Sequence, residues 1–343
     1  MARVNLNTVT IEPPILNSSC LWASDIEQLH NLYNCPYTGA VTTRTATLHG
    51  FKENEIHAVV FTTDRLSTLN SYGYSPHPLL LYLEWVHELL TNPPPTAPSQ
   101  KPFILSVTAS KADDLAQMVQ DIQSFRANLR DRPSTRDLAN LVAIELNTSC
   151  PNIPSAPPPS YYLPALRPHL DVLAAAARAD PSLTIGLKLP PYPDVTRIRE
   201  VVDCLAEYTI DEPEGLRSPF AFLTCTNTLG GSVLFAGEID LASAPPSSGA
   251  DPSPTAFAVP TALGGIGGER LHALALGTVL GFTRALGAHS SPAVRAIKVI
   301  GVGGVKDRES ADRMRAAGAS AVACATGLGR EGVKVFEKIM LGV

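Results

Sequence analysis

Short apolar runs rich in β-branched residues recur along the chain, and stretches of helical periodicity lie between them. The runs predict strands at Pro14–Asn17, Gly39–Thr43, Phe103–Thr108, Leu141–Asn147, Leu183–Leu189, Phe220–Thr226, Ile297–Gly301 and Ser320–Ala325. They are nearly continuous rather than alternating, as strands covered on both faces should be. Leu115, Met118, Val119 and Ile122 follow Asp113 at helical spacing, and Ile198, Val201, Val202 and Leu205 follow Asp194. An aspartate near the start suits a helix N-terminus, where backbone N–H groups lack partners and the dipole favours negative charge. Eight strand-then-helix units predict a (β/α)8 TIM barrel; an open doubly wound sheet is the alternative, because periodicity does not report closure. The glycine run Gly264–Gly268 reads as the opening of a helix, or as a tight turn alone.

Composition narrows the class. The 343 residues are 45% hydrophobic and 17% charged, too apolar for disorder and ample for a sizeable core. A net charge of −5 argues against a dedicated nucleic-acid binder, which must neutralise phosphates. The N-terminus has no apolar segment of the secretory kind, and uninterrupted apolar runs fall far short of the ~20 residues that span a bilayer. Six cysteines lie thinly spread, with no CxxC pair and no metal-type spacing to the eight histidines. That pattern fits a reducing compartment. The expectation is a cytoplasmic protein with no membrane, nucleic-acid or metal partner. Proline is the outlier: 30 residues, roughly twice the usual share of about 5%. They cluster at Asn92–Ser99, Pro154–Ser160 and Ser243–Pro254, which reads as surface loops. Composition does not shift across the clusters, so one domain over residues 1–343 is expected.

Chemistry concentrates at the C-terminal ends of the predicted strands, where a barrel carries its active site. Those ends read Asn17-Ser-Ser, Thr43-Arg44, Val107-Thr108, Asn147-Thr-Ser-Cys-Pro-Asn152, Lys188-Leu-Pro-Pro, Thr226-Asn-Thr228, Gly301-Val-Gly-Gly304 and Ala325-Thr-Gly327. The opposite ends offer no comparable pattern, and this asymmetry points to an enzyme. Gly301, Gly303 and Gly304 let backbone amides approach an anion, and Ala-Thr-Gly one unit later adds a helix N-terminus, a pairing that suits phosphate. Cys150 ends an apolar strand in a polar run; nucleophile, general base and bystander all stay open for it. Cys204, Cys225 and Cys324 read as inert core thiols. Lys188 lies inside an otherwise apolar strand; an edge lysine snorkelling to water is one reading, and a Schiff base, a phosphate partner or a neighbour to a cofactor that becomes anionic are the others.

Taken together, these runs resemble the dihydroorotate dehydrogenases, most closely the soluble, fumarate-using, class 1A-like branch with a cysteine base. The matching segments are Glu145-Leu-Asn-Thr-Ser-Cys-Pro-Asn152, Gly186-Leu-Lys-Leu-Pro-Pro-Tyr192, Thr226-Asn-Thr-Leu-Gly230, Gly264-Gly-Ile-Gly-Gly268, Ile300-Gly-Val-Gly-Gly-Val305 and Ala325-Thr-Gly-Leu328, in the family's order from about Val9 to Ile339. The resemblance implies an FMN-containing (β/α)8 barrel that oxidises dihydroorotate to orotate in pyrimidine biosynthesis and passes the electrons to fumarate. It implies Cys150 as the general base on C5 while hydride leaves C6 for flavin N5. Lys188 would lie by the flavin N1/O2 edge. Arg44, Asn70, Asn147, Asn152, Asn227 and Thr228 would hold the substrate, with Tyr72, Gly73 and Tyr74 contributing backbone. Ser18, Ser19, Arg44, Asn147, Gly267, Gly268, Gly303, Gly304, Ala325 and Thr326 would hold FMN. The family's dimeric habit implies a homodimer. Its mobile active-site cover corresponds to Pro154–Pro159, whose prolines predict a stiff lid.

Four departures stand out. Arg44 replaces the family's usual lysine, and His49-Gly-Phe-Lys-Glu-Asn-Glu-Ile56 replaces a Gly-Asn-Pro-Glu-Pro-Arg-like segment. His272-Ala273 stands for an expected Lys-Pro, and the chain stops at Val343 without the extra terminal helix of many relatives. Two other readings use the same barrel: a Lys188 Schiff-base lyase or aldolase, and a flavin-binding member with altered or lost activity.

Overall fold

The computed structural model describes residues 3–93, 100–132, 137–150, 152, 158–213, 215–240, 242 and 253–342. Most of each proline cluster lies outside these residues, including most of the expected lid at 154–159. Eight strands form one sheet: β1 Ile15–Asn17, β2 Val41–Thr42, β3 Phe103–Val107, β4 Val142–Asn147, β5 Thr184–Leu189, β6 Phe222–Cys225, β7 Lys298–Val302 and β8 Ala321–Cys324. Spatial order follows chain order, and every pairing is parallel, with β8 beside β1. A parallel bridge between Leu16 and Ala40 joins β1 to the approach of β2 and closes the ring. The architecture is the predicted (β/α)8 TIM barrel, and each expected strand is present within a residue or two.

The outer ring alternates with the strands: α1 Ile26–Asn34, α2 Leu79–Thr91, α3 Ala112–Arg130, α4 Leu163–Ala179, α5 Val195–Ala206, α6 His272–Ala288, α7 Arg308–Ala316 and α8 Lys334–Leu341. Asp194 caps α5 by accepting from the Thr196 N–H at 2.8 Å, whereas Asp113 lies one residue inside α3, in its first turn. Helix α6, with the turn before it, is long and apolar enough by composition to cross a bilayer. Here its Ala275, Val279, Phe282 and Leu286 are buried in the layer between strands and helices.

The two faces of each strand explain why the sequence runs look continuous. Val142, Ile144 and Leu146 of β4 pack outward under the helices, while Ala143, Glu145 and Asn147 take the alternate positions. Along those alternate positions polarity rises toward the C-terminal end. Ala143 gives way to Glu145 and Asn147, Gly186 to Lys188, Phe222 to Thr224, and Ile104 to Ser106 and Thr108. At the apolar end, Phe222 fills the lumen against Gly186, where an added Cβ would lie 2.3 Å from the ring. Burying a side chain of that size contributes roughly 1.5–3 kcal/mol. A hairpin, Val4–Leu6 with Val9–Ile11, packs its Leu6, Val9 and Ile11 into the same lumen cluster. The barrel is therefore sealed and apolar at one end and polar at the other.

A second sheet contributes to the polar end. Its antiparallel order is Leu229–Ser232, Gly264–Gly268, Ser67–Asn70 and Val59–Phe61. Gly264–Gly268 is thus a central strand and neither a helix opening nor a turn, and α6 begins only after a 3-10 turn at Glu269–Leu271. Four glycines supply no periodic signal; pairing on both edges imposes the strand. The glycines are needed because the backbones crowd: a Cβ on Gly264 would sit 2.6 Å from the Asn70 carbonyl oxygen, and one on Gly268 2.3 Å from that of Leu66.

Candidate active site

Between the strand ends and this small sheet lies a cavity that opens to solvent. Every residue singled out from the sequence as catalytic, substrate-binding or cofactor-binding lines it, from Ser18 and Ser19 after β1 to Ala325 and Thr326 after β8. Its two ends differ in chemistry.

One end is an amide cluster. Asn147, last residue of β4, donates through Nδ2 to Thr45 Oγ1 at 2.9 Å and accepts from Ser149 Oγ at 3.0 Å. Asn227, after β6, donates to the same Ser149 Oγ at 3.0 Å, while its Oδ1 accepts the Thr228 N–H at 2.8 Å. Across the mouth, Asn152 donates to Asn70 Oδ1 and to the Tyr72 carbonyl, both at 2.8 Å. Each carboxamide offers a donor and an acceptor, the combination that reads an imide or amide edge.

Cys150 sits beside this cluster, partly exposed. Burial pushes its thiol up to about 11, while a backbone N–H and the nearby Lys188 and Arg44 charges pull it down. Lys188 is buried, and its Nζ donates to Ser18 Oγ at 2.9 Å and to the Ser19 carbonyl at 3.0 Å. Desolvation lowers its pKa, and Glu145 beneath it opposes that shift. Arg44 is only 5% exposed, and its guanidinium lies over the Tyr72 ring, 5.2 Å from the centroid.

The other end is a glycine and threonine cradle. Gly303 and Gly304 follow β7 with φ of +126° and +71°, a backbone form that L side chains rarely adopt. The short helix Thr326–Glu331 starts beside them, and Thr326 Oγ1 meets Thr68 Oγ1 at 3.0 Å. Of the core thiols, Cys204 and Cys225 are buried away from the cavity, and Cys324, which touches its wall, donates its S–H to the Val305 carbonyl at 3.0 Å.

Several lining residues were not anticipated. Thr45 bridges Ser19, Ser106 and Asn147 through one hydroxyl and stands next to Arg44, so the strand-end rule pointed at its neighbour. Cys20 and Trp22 follow the serines after β1. Arg65, Lys306 and Arg330 add positive charge, each held by an acid: Asp240 at 3.4 Å, Glu269 at 2.9 Å, and Glu331. Thr68 comes from the small sheet and Arg65 from the turn between two of its strands, which at three to five residues leave no readable pattern.

Comparison with known proteins bears on this arrangement. A family model for dihydroorotate dehydrogenase matches residues 250–343. The chain is 28% identical to the dihydroorotate dehydrogenase (fumarate) of Saccharomyces cerevisiae over 330 residues, covering 96% of this chain and 88% of the relative. Identity to the enzyme of the same name from Saccharomyces paradoxus is 27% over the same shares, and to that of Kluyveromyces lactis 25%, covering 96% and 87%. The chain is similar, over nearly its whole length, to proteins named dihydroorotate dehydrogenase (fumarate). That similarity spans 96% of this chain. The segment where the chain departs from the dihydroorotate dehydrogenase pattern, His49–Ile56, packs over the mouth: Phe51 stacks edge-on against Tyr74, and Glu53 pairs with Arg44 at 2.5 Å.

Proposed function

We propose that this chain binds FMN and oxidises dihydroorotate to orotate, with fumarate as the second electron acceptor. The observation that carries the reading is the convergence of Cys150, Lys188 and four asparagines on one cavity that ends in a glycine and threonine cradle. FMN suits that cavity by donor chemistry and shape. At Gly304 an added Cβ would lie 2.6 Å from His272 Cβ and 3.0 Å from the Gly268 carbonyl oxygen, so only glycine leaves this backbone free to approach an anion.

Gly303, Gly304, Ala325 and Thr326 would hold the phosphate, and Ser18, Ser19, Asn147 and Lys188 the ring system. Bound there, FMN supplies the acceptor for a hydride from substrate C6. Cys150 removes the C5 proton, so substrate loses one hydride and one proton as the ring double bond forms. A thiol at about 11 works from a small thiolate population, which the Lys188 and Arg44 charges enlarge. Lys188, fixed by two hydrogen bonds, would set a cation against the bound ring system, where it favours added negative charge. Asn70, Asn147, Asn152 and Asn227 orient the pyrimidine.

The test is spectroscopic. Purified chain incubated with FMN and desalted should be yellow, bleach with dihydroorotate under anaerobic conditions, and regain colour with fumarate. Protein that takes up no FMN would sink the reading. Bleaching without recovery would remove fumarate alone.

A further inference from the structure

Two cations of the cavity stand near Cys150, Lys188 and Arg44, and they are treated differently. Among the described residues Lys188 has no carboxylate within ion-pairing distance, whereas Arg44 already holds one. Arg44 Nη2 donates to Glu53 Oε1 at 2.5 Å and to the Tyr74 carbonyl at 3.0 Å. A terminal guanidinium nitrogen has two N–H groups, so both hydrogens of Nη2 are engaged. Nη1 makes only a long contact, 3.4 Å to Ser24 Oγ. A carboxylate entering the cavity therefore meets a guanidinium whose fork is half occupied by another carboxylate.

We propose that Glu53 is a specificity-determining residue, a resident carboxylate that competes with the carboxylate of a ligand for Arg44. The competition has a geometric and an electrostatic part. The two-pronged contact that makes arginine a strong carboxylate receptor is blocked at Nη2. The Glu53 charge also repels a second carboxylate at close range, and Arg44 is buried enough that water screens this weakly. An uncharged pyrimidine of the same outline meets neither penalty. Glu53 thus raises the KM for a carboxylate-bearing ring and narrows the gap between it and an uncharged one.

The choice of ligands rests on the proposed function, and the experiment separates the two. Orotate and uracil are titrated into FMN-loaded wild type, Glu53→Gln, Glu53→Ala and Glu53→Asp, and binding is followed by the flavin spectrum and by calorimetry. Glutamine keeps an oxygen for Arg44 but loses the charge. Orotate should bind Glu53→Gln roughly tenfold more tightly than wild type, given that like charges at an interface cost several kcal/mol. Glu53→Ala should tighten it further and Glu53→Asp should return it toward wild type. Uracil should stay within about twofold throughout, and the KM for dihydroorotate should fall in Glu53→Gln with kcat held. Orotate affinity that is unchanged or weaker in both Glu53→Gln and Glu53→Ala overturns the proposal, even where dihydroorotate reduces the flavin normally. Tighter orotate binding in Glu53→Gln without any flavin reduction supports the proposal and counts against the dehydrogenase reading instead. Binding of neither ring to any form overturns both.

Discussion

Asn152 and Asn70 meet across the mouth of the barrel, Nδ2 of the first donating to Oδ1 of the second at 2.8 Å. Asn152 belongs to the segment after β4 and Asn70 ends a strand of the small sheet, so the bond ties the Cys150 segment to the opposite wall. Asn152 gives a second bond to the Tyr72 carbonyl at 2.8 Å, and Asn70 Nδ2 donates to Gly265 O at 3.0 Å. Replacing Asn152 by leucine removes both of its bonds while roughly keeping the volume. The expected outcome is a KM for dihydroorotate raised about tenfold or more, with FMN still bound, since one hydrogen bond to an unpaired partner costs about 1–3 kcal/mol. Steady-state kinetics on the yellow variant check it, and an unchanged KM would remove Asn152 from the substrate contacts.

The state of Cys150 gives a pH signature. Burial holds its thiol near 11, so at neutral pH the basic thiolate is a minor species. Its fraction rises tenfold for each pH unit below that value. Flavin reduction by dihydroorotate should therefore quicken by about tenfold per unit from pH 7 upward before levelling. Cys150→Ala should keep FMN, flatten the profile and slow reduction by a factor on the order of 10²–10⁴. Stopped-flow bleaching measures both, and a wild-type rate independent of pH would exclude the thiol as base.

How much of this was legible beforehand depended on whether neighbours in sequence are also neighbours in space. The eight barrel strands were readable because each is a short apolar run buried on both faces, and inward residues such as Lys188 and Asn147 stood out against them. The small sheet was not, because Gly264–Gly268 has no side-chain pattern and owes its strand form to Ser67–Asn70 and Leu229–Ser232 far away in the chain. The pairing of Glu53 with Arg44 was hidden for a related reason. A glutamate in a polar loop carries no mark of its partner until the loop folds back over the mouth.

Glu145 makes the stability of the barrel depend on pH in a direction that can be stated. It is buried two positions below Asn147; its Oε2 accepts from Thr224 Oγ1 at 2.6 Å, and among the described residues Oε1 accepts no well-formed hydrogen bond. Burial raises its pKa against the opposing pull of Lys188, Thr224 and Ser106. The folded chain thus keeps this proton at pH values where the unfolded chain has released it, so Glu145 lowers stability progressively as pH rises from the ordinary carboxylate range through its folded pKa. Glu145→Gln should remove that slope. Urea unfolding of both proteins at pH 5 and pH 8 should show the variant gaining on wild type at the higher pH; parallel profiles would mean that Glu145 ionises normally.

The cradle after β7 offers a test of the cofactor end. Gly304 has φ of +71°, and a Cβ there would press on His272 and the Gly268 carbonyl. Alanine at this site carries roughly 1–2 kcal/mol of left-handed strain before any clash is counted. Gly304→Ala should fold with a lower midpoint and bind FMN at least tenfold more weakly, while Gly332→Ala, also at positive φ (+63°) but with nothing near its Cβ, should lose stability alone. Equal FMN affinity in the two variants, measured by fluorescence quenching, would place the phosphate elsewhere.

Lys188 separates charge from packing. It is buried and desolvated, with its ammonium fixed by Ser18 and the Ser19 carbonyl and its side chain on the face of β5 opposite Leu187 and Leu189. Methionine matches the stem and discards the charge. Because burial of the ammonium is itself unfavourable, as its lowered pKa reports, Lys188→Met should unfold no earlier than wild type. Flavin reduction should nevertheless slow by a factor on the order of 10²–10³, the usual worth of one fixed charge aimed at a developing anion. Lys188→Arg should recover only part of this, since a planar fork cannot reproduce a point charge between Ser18 and Ser19. Thermal melts and single-turnover bleaching read the two effects separately. A variant with normal reduction would assign Lys188 to the scaffold, and one that is slow and also unstable would show that the ammonium holds the loop after β1.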